Sequence, residues 1–573
     1  MKNVEIRSNQ TGAHLLAAAL RRHGVTKVFG QSIPSAFFLA APDYGITQVG
    51  YRTENAGAAM ADAFARISGQ VAVVTGQNGP AATLLVAGLA EALKASIPVV
   101  AIVQDVHRQH TDRNAFQELD HPALFQGVAK WVRRVTEISR IEDYVDMAIT
   151  AATSGRAGPA VLLVPVDLMD ELRKQQPHLG REAAYGHFPL DPVAPDPARI
   201  AEAADLLAGA ARPLVIAGGG IHASRAHQAL SELQELGFPV ATTVMGKGSV
   251  DETHSLSLGV VGYFMGPGAK AADLAPMVRE ADVVLLVGNR TNQNGTDSWQ
   301  LYPQGARYIQ LDIDGNEVGR NYEALRLVGD ARLGLEALNT ALQSRDLNAR
   351  IKARSAVETQ IREGLASSAA ARSHALSDAS PLRPERIVAE IDKLISPEAI
   401  VVADASYSSI WVADGITIRK AGQRILTPRG LAGLGWGLPF ALGAKAARPD
   451  APVICLTGDG GFAHVWAEIE TSKRMNLPVV VVVLNNQILG YQKHAELSLF
   501  GAHTDVVHFQ PVDHAAIAKA CGVRGVRVDQ ADQLPAALQD AIAANVLTVI
   551  DVVTDERAWP PVSSFTGKHA LDY

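Results

Sequence analysis

Short apolar runs alternate with longer stretches of helical periodicity along the whole chain. Runs such as VAVVTG, PAVLLVP, PLVIAGG and PVVVVVL have the length and composition of buried strands. The stretches between them repeat apolar residues at the spacing of amphipathic helices. Strands that are apolar on both faces and separated by helices are typical of parallel sheets covered on both sides. The pattern therefore predicts an α/β protein built from doubly wound parallel sheets.

Two polar segments divide the chain into three parts. Residues 172–198 are rich in proline, and residues 345–383 are polar and partly helical by pattern. A chain of 573 residues also exceeds what a single hydrophobic core usually holds. We therefore expect three α/β domains of similar size, over residues 1–175, 190–345 and 383–573.

Composition and charge narrow the class of protein. Hydrophobic residues make up 47% of the chain and charged residues 19%, which is typical of a globular protein. Lys and Arg number 52 against 59 Asp and Glu, and no basic run stands out, so nucleic acid is not an expected partner. The N-terminal stretch lacks a signal-type apolar core, and no apolar run is long enough to span a membrane. We therefore expect a cytoplasmic protein without a membrane partner.

Polar residues follow two consecutive apolar runs in the last third of the chain. In LTGDGGF, the glycines Gly458, Gly460 and Gly461 let backbone N–H groups approach an anion at a helix start, and Asp459 offers a carboxylate beside them. Asn486, the second asparagine of VVVVVLNNQILGY, follows the aspartate by 27 residues (486 − 459) and offers an amide oxygen. Taken separately, each segment also fits an ordinary turn or a helix cap. Together they suit a diphosphate bridged by Mg²⁺.

This pair of strand ends resembles the cofactor-binding motif of the thiamin diphosphate (ThDP)-dependent enzymes. The resemblance implies that Asp459, the Asn486 side chain and the Ile488 carbonyl bind Mg²⁺. The segment TPRGLAGLGWGLPFALGAKAARPD also resembles the family, and it implies that Leu434 props the cofactor and that the Ala432 carbonyl holds its aminopyrimidine. A leucine of the ordinary core is the alternative for Leu434. The three domains then correspond to pyrimidine-binding, middle Rossmann-like and diphosphate-binding domains.

The cofactor of this family also needs a carboxylic acid against its aminopyrimidine. Glu54 in YRTENAGAAM matches the pyrimidine-domain motif, although a glutamate at a helix start is also typical of a simple cap. In the family, the two cofactor-binding domains meet across a subunit boundary. The resemblance therefore implies a homodimer or homotetramer, in which Glu54 of one subunit serves the cofactor held by Asp459 of another.

The chain is most similar to the acetolactate synthase-like group, which includes oxalyl-CoA decarboxylases and 2-hydroxyacyl-CoA lyases. The resemblance implies that a C–C bond at a carbonyl carbon is broken or made through a ThDP-bound carbanion, with a 2-oxo acid as the first expected substrate. Phe116 and Gln117 in NAFQELDH match active-site positions of the synthases. Ser32 and Ile33 in FGQSIPSAFF are closer to the acyl-CoA enzymes, so a 2-hydroxyacyl-CoA lyase stays an alternative. A non-catalytic family member is a further alternative, but the presence of Glu54 argues against it.

Several polar side chains are candidates for substrate contact. The segment QILGYQKHAELSLFG lacks the tryptophan pattern of true synthases and begins at the cofactor motif. Tyr491 and Glu496 are therefore acid–base candidates beside Gln117, and His494 and His121 are candidates for substrate binding. Solvent-exposed helix residues and a structural histidine are the alternatives.

Two further segments admit more than one interpretation. The strand ends LVIAGGGIHA and LLVGNRTNQNGTDSW of the middle part suit a nucleotide such as FAD or ADP, but glycine clusters often only let a strand turn into a helix. We do not expect a catalytic FAD. The tail DERAWPPVSSFTGKHALDY is either a lid over the active site or an arm packed on a neighbouring subunit.

Overall fold

The computed structural model describes residues 10–172 and 182–563. It contains three six-stranded sheets, and all strand pairs within them are parallel. Helices join successive strands, which is the arrangement expected of doubly wound α/β domains. The predicted fold class is confirmed.

The first sheet has the order β2-β1-β3-β4-β6-β5. Its strands are β1 Lys27–Phe29, β2 Thr47–Val49, β3 Ala72–Gly76, β4 Val99–Asp105, β5 Trp131–Arg134 and β6 Ala160–Pro165. The helices of this part are α1 Gly12–Arg22, α2 Ser35–Ala40, α3 Glu54–Ser68, α4 Pro80–Ala95, α5 His121–Phe125, α6 Ile141–Thr153 and α7 Val166–Asp170. Every residue of β3 and β6 is buried, and so is every residue of β4 but one. Burial on both faces is what their apolar sequences predict.

The second sheet has the order β12-β11-β10-β7-β8-β9. Its strands are β7 Pro213–Ala217, β8 Val240–Thr242, β9 Ser257–Val260, β10 Val283–Val287, β11 Arg307–Asp312 and β12 Ala324–Val328. The helices here are α8 Pro197–Ala208, α9 Gly220–Ser224, α10 His227–Glu235, α11 Ala275–Arg279, α12 Ala331–Gln343 and α13 Asn348–Ala371. Helix α13 accounts for most of the polar segment 345–383, of which only part was expected to be helical.

The third sheet has the order β14-β13-β15-β16-β18-β17. Its strands are β13 Ile400–Ala403, β14 Ile425–Leu426, β15 Val453–Gly458, β16 Val480–Asn485, β17 Arg524–Val528 and β18 Thr548–Val553. The helices of this part are α14 Pro384–Leu394, α15 Tyr407–Gly415, α16 Gly437–Ala447, α17 Asp459–Ala463, α18 Glu468–Arg474, α19 Gly490–Phe500, α20 His514–Ala520 and α21 Gln533–Ala544.

The chain forms two compact units that differ from the three expected segments. Unit 1 comprises Met1–Asp191, Pro428–Asp450 and Val465–Val479, and unit 2 comprises Pro192–Thr427, Ala451–His464 and Val480–Tyr573. Helices α16 and α18 thus belong to unit 1. The contact of α16 with α3 is close because small residues face each other: a Cβ on Gly443 would lie 2.1 Å from the Met60 carbonyl oxygen.

Candidate active site

Two strand ends meet at the carboxyl edge of the third sheet. Strands β15 and β16 are neighbours, with Gly458 in register with Leu484. Because the strands are parallel, the residues that follow them, Asp459 and Asn486, emerge at the same edge. Helix α17 begins at Asp459, so the aspartate occupies the first turn of a helix at a sheet edge where α/β proteins bind ligands.

Asp459 is a buried carboxylate held by backbone groups. The Gly460 N–H donates to Oδ1 over 2.9 Å, and the Gln487 N–H donates to Oδ2 over 2.7 Å. Burial raises the pKa of Asp459 to about 6, although these hydrogen bonds favour the ionised form. A cation beside the carboxylate would offset the cost of burying its charge. The second hydrogen bond also ties the turn after β15 directly to the turn after β16.

The two asparagines have different surroundings. The Asn485 amide donates to the Val512 carbonyl and to Asp551 Oδ1, each over 2.9 Å, so this side chain belongs to a buried network. Asn486 is only partly buried, and its Oδ1 accepts a hydrogen bond of 3.4 Å from the Ile488 N–H. Successive side chains of an extended chain point in opposite directions, which explains the difference. Asn486 therefore shares the turn with the backbone that holds Asp459.

The residues around Asp459 fit a diphosphate with a hard metal ion. A carboxylate, an amide oxygen and a backbone carbonyl of Ile488 are the oxygen ligands that Mg²⁺ accepts. Within the described part of the chain, a Cβ added to Gly458 would meet no atom within 4 Å beyond its chain neighbours, so the strand end borders open space. At Gly460, by contrast, a Cβ would lie 2.8 Å from the Phe509 ring.

A third strand end at this edge was missed in the sequence. Strand β13 lies next to β15, and Asp404 directly follows it. The Thr457 hydroxyl donates to Asp404 Oδ2 over 3.2 Å, and Ser406 has a left-handed backbone with φ of 63° just before α15. The segment VVADASYSSIW repeats the pattern of strand, small-residue turn and helix, and this was the available signal.

Helix α19 begins beside a cluster of aromatic rings within unit 2. The Tyr407 hydroxyl lies 2.6 Å from His494 Nδ1, and the His494 ring stacks on Trp559 at 4.2 Å. The Tyr491 ring lies 5.8 Å from that of Tyr407 and is 40% exposed. Burial lowers the pKa of His494 to about 4, so the ring is neutral at neutral pH. Its Nδ1 can then accept a hydrogen bond from the Tyr407 hydroxyl. Tyr491 is thus the most exposed residue named in this cluster, and the buried His494 is not a solvated helix residue.

The Glu496 carboxylate accepts hydrogen bonds from its neighbours, which does not suit the expected role of a general acid. Its carboxylate accepts hydrogen bonds of 2.7 Å from the Gln492 side chain and from the Thr504 N–H. These hydrogen bonds lower its pKa, whereas a general acid at neutral pH needs a raised one. The geometry therefore favours Glu496 as an anchor for the loop after α19.

The burial of His494 predicts a pH-dependent loss of stability. The unfolded chain takes up a proton at the ordinary pKa of 6.5, and the folded chain only at about 4. The contribution is therefore complete above pH 6.5 and is lost as the pH falls towards 4, by about 3 kcal/mol in total. We expect the melting temperature to fall by several degrees less between pH 7.5 and pH 4.5 in His494→Gln than in the parent, measured by calorimetry. Equal falls would contradict the neutral, buried state.

The described part of the tail packs on its own chain. Trp559 stacks on His494, and the Ser563 hydroxyl donates to Asp297 Oδ1 over 2.5 Å. A Cβ on Gly266 would lie 2.4 Å from the Ser563 nitrogen, so the two backbones touch. The expected lid also includes residues 564–573, which lie outside the described residues.

Glu54 occupies the first position of α3 in unit 1. It is half-buried, and within residues 10–172 and 182–563 its side chain makes no hydrogen bond or ion pair. Burial, strengthened by the charge of Glu54, raises the pKa of Tyr51, whose hydroxyl donates to the Thr75 carbonyl over 2.6 Å. The buried Glu468 accepts hydrogen bonds of 3.0 and 3.1 Å from the N–H groups of Arg52 and Thr53 and so fixes the chain that enters α3.

Other predicted residues lie at the same edge of the first sheet. Strands β2, β1 and β3 are adjacent, and they lead into Glu54, the loop with Ser32 and Ile33, and the start of α4. Ser32 is exposed, and the Ile33 carbonyl accepts a hydrogen bond of 3.4 Å from the Thr75 hydroxyl. Thr75 thus connects the Ser32–Ile33 loop to Tyr51 beside the glutamate. The structure brings these sequence candidates together.

The loop with Phe116 and Gln117 lies over the start of α4. The Asn78 amide donates to the carbonyls of Phe116 and Gln117 over 3.1 and 3.2 Å, and the Gln77 amide donates to Gln117 Oε1 over 3.2 Å. Phe116 is 86% exposed. Gly79 must be glycine here, since its φ is 66° and a Cβ would lie 2.8 Å from Gln117.

His121 is fully buried and supports this loop. Its Nε2 accepts a hydrogen bond of 2.9 Å from the Gly79 N–H, and its Nδ1 lies 3.1 Å from Asp105 Oδ1. Burial opposes ionisation of Asp105, but hydrogen bonds from His121 and Val106 and the charge of Arg134 outweigh it and lower the pKa of the carboxyl. Neither ring nitrogen is available to a substrate, so the expected substrate contact of His121 is replaced by a structural role.

Ala432 and Leu434 lie on an open loop before α16. Ala432 is exposed with φ of 60°, and Leu434 is 37% exposed, so neither belongs to the ordinary core.

In the middle part of the chain, the glycines of LVIAGGG are explained by close backbone packing. A Cβ on Gly218 would lie 2.2 Å from the Gly288 carbonyl oxygen, because the ends of β7 and β10 touch through their backbones.

Comparison with known proteins identifies the family of the chain. Its residues 10–124, 200–338 and 404–552 match the family models of the thiamine pyrophosphate enzymes for the N-terminal TPP binding domain, the central domain and the C-terminal TPP binding domain. The chain belongs to this family, as the sequence motifs predicted, and it falls in the acetolactate synthase-like group.

Named relatives are similar over nearly the whole chain. A probable acetolactate synthase large subunit of Methanocaldococcus jannaschii is 32% identical over 558 residues, which cover 95% of this chain and 92% of the relative. The acetolactate synthase isozyme 3 large subunit of Escherichia coli K12 is 30% identical, with 96% of each chain covered. In the described part of the chain, none of the helices is both long and apolar enough to cross a membrane.

Proposed function

We propose that the protein is a ThDP- and Mg²⁺-dependent enzyme that decarboxylates a 2-oxo acid and joins the remaining fragment to a second carbonyl compound, as an acetolactate synthase does. The observation that carries the proposal is the hydrogen bond from the Gln487 N–H to Asp459, which ties the GDGG turn directly to the Asn-Asn turn. The names of the relatives support the substrate class.

Each part of the cofactor has candidate residues in this chain. Asp459, Asn486 and the Ile488 carbonyl would bind Mg²⁺, and the glycines of the GDGG turn would admit the diphosphate. Bound ThDP would supply a centre that stabilises negative charge on a carbonyl carbon. The Ala432 carbonyl and Leu434 would hold and prop the rest of the cofactor.

The proposed roles of the substrate residues follow from exposure. Glu54 is half-buried and makes no hydrogen bond or ion pair with the described residues, so its carboxyl is a candidate to hold and move a proton. Gln117 and the exposed Phe116 would border the substrate from the same unit, and Tyr491 would do so from α19. Glu496 is the weaker acid–base candidate because its pKa is lowered.

We further propose that the active sites form between subunits of a homodimer or a homotetramer. Large apolar side chains are exposed on segments that also carry candidate residues or follow them, including Leu39 on α2 at 83%, Phe116 at 86% and Phe500 on α19 at 75% exposure. Exposed apolar groups of this size are typical of contact surfaces. A second subunit would cover them.

One comparison of substrates tests the proposed reaction. With ThDP and Mg²⁺, we expect pyruvate to give CO₂ and a C–C-joined 2-hydroxy-3-oxo acid at least 10-fold faster than a short 2-hydroxyacyl-CoA is cleaved, which corresponds to about 1.4 kcal/mol. Product release is measured for both by chromatography. Faster cleavage of the thioester would favour the 2-hydroxyacyl-CoA lyase, whose group the sequence of the Ser32–Ile33 loop resembles. Turnover of neither, with cofactor bound, would favour another 2-oxo acid or a non-catalytic protein.

A further inference from the structure

One buried glutamate on α4 binds the backbone of the loop before α16. Glu91 is 0% exposed, although α4 otherwise buries apolar and small residues. Its Oε1 accepts a hydrogen bond of 2.6 Å from the Gly430 N–H. Its Oε2 accepts hydrogen bonds from the N–H groups of Leu431 and Ala432, over 2.6 and 3.3 Å. Three consecutive N–H groups thus converge on a single carboxylate.

The charge of Glu91 is balanced by a neighbour on α3. The Arg66 guanidinium lies 3.5 Å from Glu91 Oε1, and its Nε donates to Asp62 Oδ1 over 2.5 Å. The same guanidinium lies 5.2 Å from the centre of the Phe440 ring on α16. A buried carboxylate is costly unless it is paired and hydrogen-bonded, and Glu91 is both. The network joins α3, α4, α16 and the loop within unit 1.

The loop that Glu91 binds contains a residue in an unfavourable backbone conformation. Ala432 has φ of 60°, in the left-handed region that residues with a Cβ rarely adopt. Gly430 is closely packed as well, since a Cβ there would lie 2.5 Å from the Glu91 carbonyl oxygen. The hydrogen bonds of Glu91 therefore act where the chain needs external support to keep its conformation.

We propose that Glu91 is a positioning residue that holds residues 430–432 so that the Ala432 carbonyl faces the aminopyrimidine of ThDP. The inference rests on the proposed function, because that role of Ala432 is part of it. Glu91 does not touch the cofactor in this proposal. It acts by restricting the backbone conformations of the loop before the cofactor arrives. Cofactor binding then does not carry the entropic cost of ordering the loop.

The test measures cofactor binding together with stability. In Glu91→Gln, the side-chain amide turns an NH₂ group towards N–H donors, so at least one backbone hydrogen bond is lost. We expect the Kd for ThDP in the presence of Mg²⁺, measured by calorimetry, to rise at least 10-fold. We also expect kcat at saturating ThDP to fall, because the bound cofactor is less well aligned. Circular dichroism establishes that the variant is folded.

A second substitution separates positioning from a merely structural role. Glycine adopts a φ of 60° without the penalty of alanine, so Ala432→Gly in the Glu91→Gln background is expected to restore part of the lost affinity. Asp146→Asn is the matched control: Asp146 is also a buried acid of unit 1, and it pairs with Arg22 at the end of α1 and with His23 just after it, far along the chain from the loop before α16. Its loss should lower the melting temperature and leave the Kd for ThDP unchanged.

The outcomes distinguish this inference from the proposed function. If the parent protein binds no ThDP with Mg²⁺, the proposed function fails first. If the parent binds ThDP and folded Glu91→Gln binds it equally well with the same kcat, only the role of Glu91 is refuted. A loss of affinity that Asp146→Asn reproduces, or that Ala432→Gly does not relieve, would also overturn it.

Discussion

Glu54→Gln is expected to lower kcat by about 100- to 10,000-fold, the range that a positioned acid–base group contributes. The amide keeps the shape of the side chain but neither accepts nor releases a proton at neutral pH. Glu54 is half-buried, carries no partner among the described residues and is close enough to Tyr51 for its charge to raise the pKa of that phenol. A carboxyl group in this state is available for proton transfer. The Kd for ThDP should change by only a few-fold.

Glu142→Gln is the matched control for this variant. Glu142 is a half-buried glutamate in the first turn of α6, just as Glu54 is in the first turn of α3. If Glu54 were only a helix cap, both variants would lose a similar stability, about 0.3–1 kcal/mol, and neither would lose activity. Turnover is measured with pyruvate and calorimetry gives the Kd for ThDP. Parental turnover in Glu54→Gln would refute the proton-transfer role.

The sheet edges of this protein could be predicted because strand ends have a local signal. A buried apolar run followed by glycines and a polar side chain is recognisable in a few residues, and this sufficed for the place of Asp459 at a strand end and for the α/β fold class. Similar local reasoning applied to Asn486, although the choice between the two asparagines depended on resemblance. The structure supplies the physical distinction, since Asn485 is bound to Asp551, 66 residues away along the chain.

The remaining side chains depend on contacts that leave no local pattern. Glu91 and Gly430 are 339 residues apart, and nothing in LAEALKAS indicates that its glutamate is buried against a distant loop. Tyr407 and His494 are 87 residues apart. The helical pattern of the sequence did not distinguish the buried His494 from the exposed residues around it. Glu468 and Arg52 are a further instance. Such pairs are determined by tertiary packing and become visible only when the chain is folded.

Asp459→Ala is expected to raise the Kd for ThDP by at least 100-fold in the presence of Mg²⁺. The proposed metal site has a single charged protein ligand, so its removal leaves only neutral oxygen atoms to attract the ion. Asp459→Asn loses the charge and keeps one acceptor oxygen, so one of the two backbone hydrogen bonds from Gly460 and Gln487 remains while the proposed metal ligand becomes neutral. We expect both variants to lose Mg²⁺-dependent binding in calorimetry, and a fully bound Asp459→Asn protein would contradict the metal assignment.

The two asparagines provide the comparison for the opposite strand end. Asn486→Ala should weaken ThDP binding with little change in melting temperature, because among the described residues this side chain makes a single, long hydrogen bond of 3.4 Å with its own turn. Asn485→Ala removes two buried hydrogen bonds of 2.9 Å and leaves Asp551 without one donor, so it should cost about 1–3 kcal/mol of stability. If Asn485→Ala instead weakened ThDP binding and Asn486→Ala instead lowered the stability, the proposed Mg²⁺ ligand would be Asn485.

A mixture of Glu54→Gln and Asp459→Ala proteins tests the proposed sharing of sites between subunits. Each variant alone is expected to be inactive. If Glu54 of one subunit serves the site that Asp459 of another holds, a mixed dimer contains one site with both residues intact and one site with neither. Dissociation and reassembly of an equal mixture should therefore restore about a quarter of the parental activity, since half the dimers are mixed and each has one working site. If both residues served the same subunit's site, every site would lack one of them and no activity would return.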